Sequence, residues 1–236
     1  MPTPAAVLKA ARVLSQGSDK EEGIGDLVVI DIGGATTDVH SMGSGEATKP
    51  GVNMRGLEEP FAKRTVEGDL GMRYSALSLW EASGTRRIAQ HLSSKELNIE
   101  ENCYYRSKNV MMVPNTEEEI EFDEAMAKVA TELSVDRHAG RIETVYTPMG
   151  AVFTQIGKDL LEVPYLIGTG GVLVHSSNPI EILKAGCFDT LNASSLRPMH
   201  PKYLLDKTYI LSAMGLLCED HPDMAVRIMK KYLIET

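Results

Sequence analysis

The sequence LVVIDIGGATTDVHSM at residues 27–42 decides the fold of this chain. Residues 27–30 are all apolar, which is the pattern of a central β-strand covered by helices on both faces. The pattern breaks at Gly33–Gly34 and resumes at residues 37–41, where polar and apolar residues alternate more. Two strand-like runs joined by a glycine pair predict a β-hairpin. We therefore expect the rest of the chain to be built around this hairpin.

The turn of the hairpin has the composition of an anion-binding loop. Its glycines leave backbone N–H groups open to a ligand, because no Cβ atom blocks close approach. Asp31 stands just before the turn, where a carboxylate can hold a metal-bound water or orient an attacking water, so it is the candidate catalytic residue and metal ligand. The alternative is a tight turn in which the glycines only supply positive φ angles. The candidate phosphate-binding residues are Gly33, Gly34, Ala35, Thr36 and Thr37.

A second glycine-rich turn follows a strand predicted over residues 163–169 and leads into a predicted helix. Glycine lets the backbone lie against a flat or anionic ligand, and a helix N-terminus favours negative charge. The alternative is an ordinary turn of an α/β protein, since the sequence has neither the GxGxxG of a dinucleotide fold nor a P-loop. Two such turns are more informative together than either alone. The candidate cofactor-binding residues here are Gly168, Thr169, Gly170 and Gly171.

Composition limits the classes of function. The chain has 236 residues, 43% hydrophobic and 24% charged, which suits one large globular domain or two small ones. The net charge of −9 disfavours nucleic acid and anionic membranes as partners. No apolar run approaches the ~20 residues of a membrane-spanning helix, and the first residues lack the pattern of a secretory signal. The three cysteines are widely spaced, which disfavours disulfides and zinc and predicts a cytoplasmic protein.

Strand-like and helical segments both occur along the chain, which predicts a mixed protein of the α/β or α+β class. The clearest helix is predicted over residues 117–135, where Thr116 precedes three glutamates, as in an N-terminal capping box. Residues 43–59 are rich in glycine and charge and predict an exposed loop. Residues 98–112 predict irregular structure, and a helix is predicted over residues 151–161.

Charged residues near the first turn are weaker candidates. Thr65, Glu67 and Asp69 either line the same cleft as the turn or form a solvated acidic turn. The basic pairs Lys63–Arg64 and Arg86–Arg87 are better explained as surface charge than as phosphate ligands.

The two glycine-rich turns resemble the nucleotide-binding elements of the actin-like ATPase superfamily. In that superfamily one glycine-rich hairpin grips the nucleotide phosphates, and a later strand–turn–helix element covers the adenosine. Residues 31–38 resemble the phosphate element, and residues 166–174 resemble the adenosine element. The resemblance implies the α/β class and an actin-like ATPase (ribonuclease H-like) fold, with a mixed sheet flanked by helices. It also implies ATP and Mg²⁺ as cofactors.

Four segments are closer still to one family. The sequences VVIDIGGATTDVHS, PFAKRTVEGDLGMRYSA, YLIGTGGVLVHS and YILSAMGLL resemble the MutL protein associated with glutamate mutase. This resemblance implies a C-terminal actin-like ATPase domain over residues 1–236, with a leading helix and linker at 1–25 and the nucleotide-binding core at 26–236. It implies the C-terminal half, one of two subdomains, because the sequence contains no first phosphate loop of the type DxGSTxT.

The resemblance also implies a function. We expect an ATP-binding, chaperone-like accessory protein that contacts the subunits of an adenosylcobalamin-dependent mutase, of the glutamate mutase or aminomutase type, and reactivates it or exchanges its cofactor. The alternative is a truncated, non-catalytic interaction module that docks to the mutase or to an N-terminal half. The lack of a first phosphate loop leaves ATP hydrolysis by this chain open. An enzyme of the sugar-kinase or hydantoinase type is disfavoured, because no substrate-base residue is recognised.

Overall fold

The computed structural model of the chain describes residues 2–94, 97–148 and 150–235, so the predicted domain limits at residues 1 and 236 lie outside it. Its strands are β1 (Leu27–Ile32), β2 (Thr37–Met42), β3 (Val52–Arg55), β4 (Ala62–Glu67), β5 (Arg141–Thr147), β6 (Gly150–Ile156), β7 (Tyr165–Thr169), β8 (Lys202–Leu205) and β9 (Ile234–Glu235). Its helices are α1 (Thr3–Gln16), α2 (Ala76–Ser83), α3 (Thr85–Ala89), α4 (Ile99–Lys108), α5 (Glu117–His138), α6 (Gly171–His175), α7 (Pro179–Lys184), α8 (Leu211–Leu217) and α9 (Pro222–Tyr232), with a 3₁₀ turn at Thr190–Asn192.

Strand β1 lies inside a mixed sheet with the strand order β4-β2-β1-β7-β8-β9. β2 pairs antiparallel with β1, with Ile32 opposite Thr37 at the turn, so the predicted hairpin is confirmed. On the other side of β1, β7 and then β8 run parallel to it. The predicted α/β class, with a mixed sheet flanked by helices, is confirmed in this form.

Strand β1 sends its side chains alternately into two hydrophobic cores. Leu27 and Val29 pack with residues of α1, α8 and α9 on one face of the sheet. Val28, Ile30 and Ile32 pack with residues of α2, α4, α5 and α7 on the other face. All five side chains are at most 1% exposed, and burying each contributes about 1.5–3 kcal/mol. The apolar run therefore holds both helical layers on one strand.

A second, three-stranded sheet has the order β3-β6-β5, with β3 parallel and β5 antiparallel to β6. It corrects two predictions. The helix predicted over residues 151–161 is wrong, because residues 151–156 belong to β6. The loop predicted over residues 43–59 contains the short strand β3. β3 pairs with the distant β6, and β6 pairs with β3 on one side and with the neighbouring β5 on the other. Such pairing overrides weak local preference.

The irregular structure predicted over residues 98–112 is also wrong, because α4 occupies most of it. The side chain of Asn98 caps this helix by accepting the N–H of Glu101 at 3.2 Å. The helix was not predicted because most of its residues are polar and only three of them are buried: Ile99, Cys103 and Arg106. The predicted helix after Thr116 is confirmed as α5, including its capping box. None of the helices in the described ranges is long and apolar enough to cross a membrane.

Two buried histidines lie between β2 and the end of α5. His40 is fully buried, and neither of its ring nitrogens has a hydrogen-bond partner within the described part of the chain. The ring nitrogens of His138 lie 2.9 Å from the Thr65 hydroxyl and 2.8 Å from the Ser41 hydroxyl. Burial lowers the pKa of His40 to about 4 and holds the pKa of His138 well below its usual range.

We expect the titration of His40 alone to lower the free energy of unfolding by about 2 kcal/mol as the pH falls from 7.5 to 5. Its folded pKa lies below the unfolded value of about 6.5, so the unfolded chain binds the proton first. The stabilisation is therefore complete above pH 6.5 and is lost as the pH falls toward 4. Urea unfolding at pH 7.5, 6 and 5 measures this loss. His40→Leu should flatten the pH dependence, whereas His200→Leu, at an exposed position, should leave it unchanged. Equal pH dependence in the wild type and His40→Leu would contradict the assignment.

Candidate functional site

The two glycine-rich turns lie at the same edge of the main sheet. β1 and β7 are parallel neighbours, with Asp31 opposite Thr169, so both turns leave from the carboxyl ends of these strands. A Cβ atom built on Gly170 would lie 2.3 Å from the carbonyl oxygen of Ile32. The second turn thus packs directly on the backbone of the first strand. This edge between parallel strands is a common place for ligands in α/β sheets.

A cavity of about 530 Å³ opens between the two turns. Its volume is within the range of small-molecule sites, about 300–1,000 Å³. Gly33 and Gly34 of the first turn and Gly171 of the second turn form part of its wall. The rest of the wall is formed by Ile32, Met72, Arg73, Met112, Val113, Pro114, Ile120, Asp123, Glu124, Val172, His175, Ser176 and Tyr209.

The carbonyl oxygens of the first turn accept three hydrogen bonds from the rest of the protein. The carbonyl of Gly33 accepts the N–H of Met72 at 3.0 Å, and that of Gly34 accepts the N–H of Arg73 at 2.8 Å. The carbonyl of Ala35 accepts the hydroxyl of Ser75 at 2.7 Å. By contrast, the N–H groups of Gly34 and Ala35 have no hydrogen-bond partner among the described residues. The turn therefore directs its acceptors into the protein and keeps two donors free for an anion.

Three aspartates lie near this edge of the sheet. Asp38 is 2.7 Å from a guanidinium nitrogen of Arg64, and Asp206 accepts the N–H groups at the start of α8. Asp31 has no ion pair within the described part of the chain. Burial, reinforced by the charges of Asp38 and Asp206, raises the pKa of Asp31 to about 6. A partly buried carboxylate in this state would be stabilised by a cation.

Tyr209 forms part of the cavity wall, whereas Asp31 does not. The N–H of Tyr209 donates to the carbonyl of Asp206 at 3.2 Å. Burial, followed by the charges of Asp31 and Asp206, raises the pKa of the Tyr209 hydroxyl. Tyr209 has a φ of 58°, the one positive value of a non-glycine residue in the described ranges. Such strain costs about 1–3 kcal/mol and tends to occur at functional sites.

Several predicted site residues have side chains that are hydrogen-bonded to other groups of the protein, or are themselves closely packed. The hydroxyl of Thr36 donates to Asp38 at 3.0 Å, that of Thr37 to the carbonyl of Leu70 at 2.6 Å and that of Thr169 to Asp206 at 3.2 Å. A Cβ atom on Gly168 would lie 3.0 Å from side-chain atoms of Leu173 and Leu183. Of the predicted residues, Gly33, Gly34 and Gly171 reach the cavity wall. That all of these residues serve a ligand stays a prediction.

The weaker candidates do not reach the cavity wall. Glu67 and Asp69 bind Arg137 at 2.7 and 2.8 Å, and Thr65 contacts His138. Lys63 pairs with Glu59 at 3.0 Å, Arg64 with Asp38, and Arg87 with Glu132 at 3.7 Å. These contacts account for Glu67, Asp69, Lys63, Arg64 and Arg87 as members of structural ion pairs, and Arg86 is exposed on the surface.

The candidate residues taken from the sequence did not include six wall residues with polar side chains: Arg73, Asp123, Glu124, His175, Ser176 and Tyr209. Four of them, Arg73, His175, Ser176 and Tyr209, lie within the segments that resembled the family. Asp123 and Glu124 lie on α5, and only the fold brings them to the two turns.

Comparison with known proteins identifies the family. The sequence model described as MutL protein matches residues 1–233. The chain belongs to the MutL protein family. A curated MutL family member, "Protein MutL" of Clostridium tetanomorphum, is 70% identical over 235 residues, which cover 100% of this chain and 51% of that relative. The chain therefore spans about half the length of the curated MutL relative it matches. The resemblance to the MutL family is confirmed.

Proposed function

We propose that this MutL family chain binds ATP and Mg²⁺ as the nucleotide-binding part of an actin-like ATPase. One observation carries the proposal: two glycine-rich turns, far apart in the sequence, meet at one sheet edge and line one cavity. The actin-like, ribonuclease H-like fold belongs to this proposal. So does the division into a leading helix with linker at residues 1–25 and a core at 26–236, as the C-terminal half of such an ATPase.

The residues of the cavity fit a nucleotide. The unpaired N–H of Gly34, on the cavity wall, and that of the next residue, Ala35, offer donors to phosphate oxygens. Residues 112–114 and Val172 offer apolar surface to a base. The glycines keep the backbone accessible, since a Cβ atom on Gly171 would find no neighbour within 4 Å. When bound, ATP supplies the phosphoanhydride bond that is cleaved, and Asp31 would orient a water.

Asp31 fits a role beside Mg²⁺. Its carboxylate has no ion pair in the described part of the chain, and burial, followed by the charges of Asp38 and Asp206, raises its pKa to about 6. Mg²⁺ is often held by one or two carboxylates together with substrate phosphates and water, and Asp31 would supply one such carboxylate.

The proposed biological role is chaperone-like assistance to an adenosylcobalamin-dependent mutase of the glutamate mutase or aminomutase type, by reactivation or cofactor exchange. Membership in the MutL family supports an accessory role. A nucleotide-dependent change in shape is a known way to act on a partner protein. The net charge of −9 favours a protein partner over nucleic acid or an anionic membrane, and the three widely spaced cysteines favour the cytoplasm as its location.

Calorimetric titration with ATP and Mg²⁺ tests the proposal on this chain and on a full-length family member. We expect binding by both, tighter in the full-length protein, and hydrolysis by the full-length protein. Asp31→Ala in the full-length protein should reduce hydrolysis by at least about 100-fold, because the water-orienting carboxylate is removed.

Two results would contradict this proposal. Absence of binding to the full-length protein would refute ATP binding and favour the non-catalytic interaction module, which copurification with mutase subunits would then test. Unchanged turnover in Asp31→Ala would remove Asp31 from the reaction while leaving ATP binding in place.

A further inference from the structure

Arg73 lies on the wall of the cavity, and its guanidinium group is hydrogen-bonded to three other residues of that wall. It binds Asp123 of α5, with one nitrogen 2.6 Å from Oδ2. It also donates to the carbonyl of Met112 at 3.2 Å and to that of Met72 at 2.8 Å. Its side chain is 13% exposed, so it reaches the cavity without being free in solvent.

Arg73 also lies against the first glycine-rich turn. Its N–H donates to the carbonyl of Gly34 at 2.8 Å. A Cβ atom built on Gly34 would lie 3.7 Å from the Cβ of Arg73 and 3.9 Å from its Cγ. The base of the side chain is therefore beside the two free N–H groups of the turn, and a change of rotamer can bring the guanidinium to an anion held there.

Asp123 has a second partner that does not depend on Arg73. Arg106 donates to Oδ1 of Asp123 at 2.7 Å and is 1% exposed. Arg106 is fixed by the carbonyls of Asn102 and Glu119, at 3.3 and 3.2 Å, and by the ring of Phe122. The ion pair between Arg106 and Asp123 would remain intact if the Arg73 side chain moved away from Asp123. Removing Arg73 from Asp123 thus avoids the large penalty of an unpaired buried carboxylate.

We propose that Arg73 is a phosphate-binding residue that exchanges Asp123 for the phosphate groups of a ligand held at the first turn. The proposal rests on the proposed function for the identity of the ligand, a nucleoside di- or triphosphate. The planar guanidinium matches phosphate oxygens in a bidentate geometry and stays charged at all relevant pH values. The other carboxylate on the wall, Glu124, is hydrogen-bonded to Ser176. Among the described residues of the wall, Arg73 is the one that carries a guanidinium group able to bind an anion.

Calorimetric titration of the wild-type chain and of Arg73→Gln with adenosine, ADP and ATP, all with Mg²⁺, tests the inference. In Arg73→Gln we expect affinity for ADP and ATP to fall about 10- to 100-fold, while affinity for adenosine changes less than about 3-fold. Arg73→Lys keeps the charge but loses the bidentate geometry of the guanidinium. Its affinity for ADP and ATP should lie between those of the wild type and Arg73→Gln. Arg86→Gln, at an exposed arginine, is the matched control and should change neither affinity.

Three results would overturn a phosphate-binding Arg73. An equal loss of adenosine and ATP affinity would assign it a structural role, and unchanged ATP affinity would place it outside the phosphate contacts. A wild-type chain that bound neither ATP nor tripolyphosphate would overturn both this inference and the ATP proposal. Tripolyphosphate binding that was lost in Arg73→Gln, without any binding of ATP, would overturn only the ATP proposal and support Arg73 as a phosphate ligand.

Discussion

Replacing Gly170 with alanine is expected to lower the free energy of unfolding by about 3 kcal/mol or more. Gly170 has a φ of 109°, a backbone conformation that an alanine adopts only with strain. The added Cβ atom would also lie 2.3 Å from the carbonyl oxygen and 2.8 Å from the nitrogen of Ile32. These are backbone atoms at the end of β1, so the clash cannot be relieved by a change of rotamer.

Gly171→Ala is the matched control for this prediction. A Cβ atom on Gly171 would meet nothing within 4 Å, and this glycine is the first residue of α6, where alanine is acceptable. We expect its stability to change by no more than about 0.5 kcal/mol. Urea unfolding of both variants at pH 7.5 measures the difference. Similar unfolding free energies for the two variants would show that the second turn does not pack against β1 as described.

The clash at Gly170 also links stability to the site. Ile32, whose backbone Gly170 contacts, forms part of the cavity wall between the two turns. Any shift that accommodates an alanine at position 170 therefore changes the spacing of the turns. We expect the same variant to weaken nucleotide binding more than Gly171→Ala does, if the cavity is the nucleotide site.

The parts of the fold that the sequence predicted have strong local signals. The β1–β2 hairpin has a continuous apolar run and a glycine pair, and α5 has a capping box. The parts that it missed have weaker local signals. β6 is a strand because it pairs with β3 and β5, and α4 has only a polar pattern with three buried positions.

The candidate site follows the same rule. The glycines of both turns are visible in the sequence as short glycine-rich runs after apolar strands, and at Gly170 the positive φ requires a glycine. Arg73 and Asp123 are 50 positions apart, and their ion pair exists only because α5 packs beside the first turn. Ion pairs of this kind have no local signature. The sequence therefore predicted where the backbone is shaped for a ligand, and it did not predict the charged side chains around it.

Asp31→Asn is expected to stabilise the ligand-free chain by about 1–3 kcal/mol at pH 7.5. The pKa of Asp31 is raised from its ordinary value of 3.8 to about 6, so the folded state disfavours the charged form. Asparagine is nearly isosteric and uncharged, and it removes this penalty. Below the unfolded pKa the carboxyl is neutral in both states, so the gain should shrink as the pH falls from 6 and disappear below about 4.

Asp38→Asn is the control across the hairpin, because Asp38 is the strand partner of Asp31. Its carboxylate binds Arg64 at 2.7 Å, so neutralising it removes an ion pair and should destabilise the chain at pH 7.5. Chemical denaturation of the three proteins at pH 7.5, 6, 5 and 4 measures both effects. Loss of stability in Asp31→Asn at pH 7.5, or a gain that did not depend on pH, would contradict the assignment of an uncompensated charge.

A stabilising Asp31→Asn would bear directly on function. Stability that is lost to a partly buried carboxylate without an ion pair has no structural purpose at neutral pH, and active sites commonly retain such groups because a ligand completes them. A cation that arrives with a nucleotide would favour the charged carboxylate. The wild-type chain should therefore gain more thermal stability than Asp31→Asn on addition of ATP and Mg²⁺. An equal gain in both proteins would separate Asp31 from the cation and leave the turn amides and Arg73 as the proposed phosphate contacts.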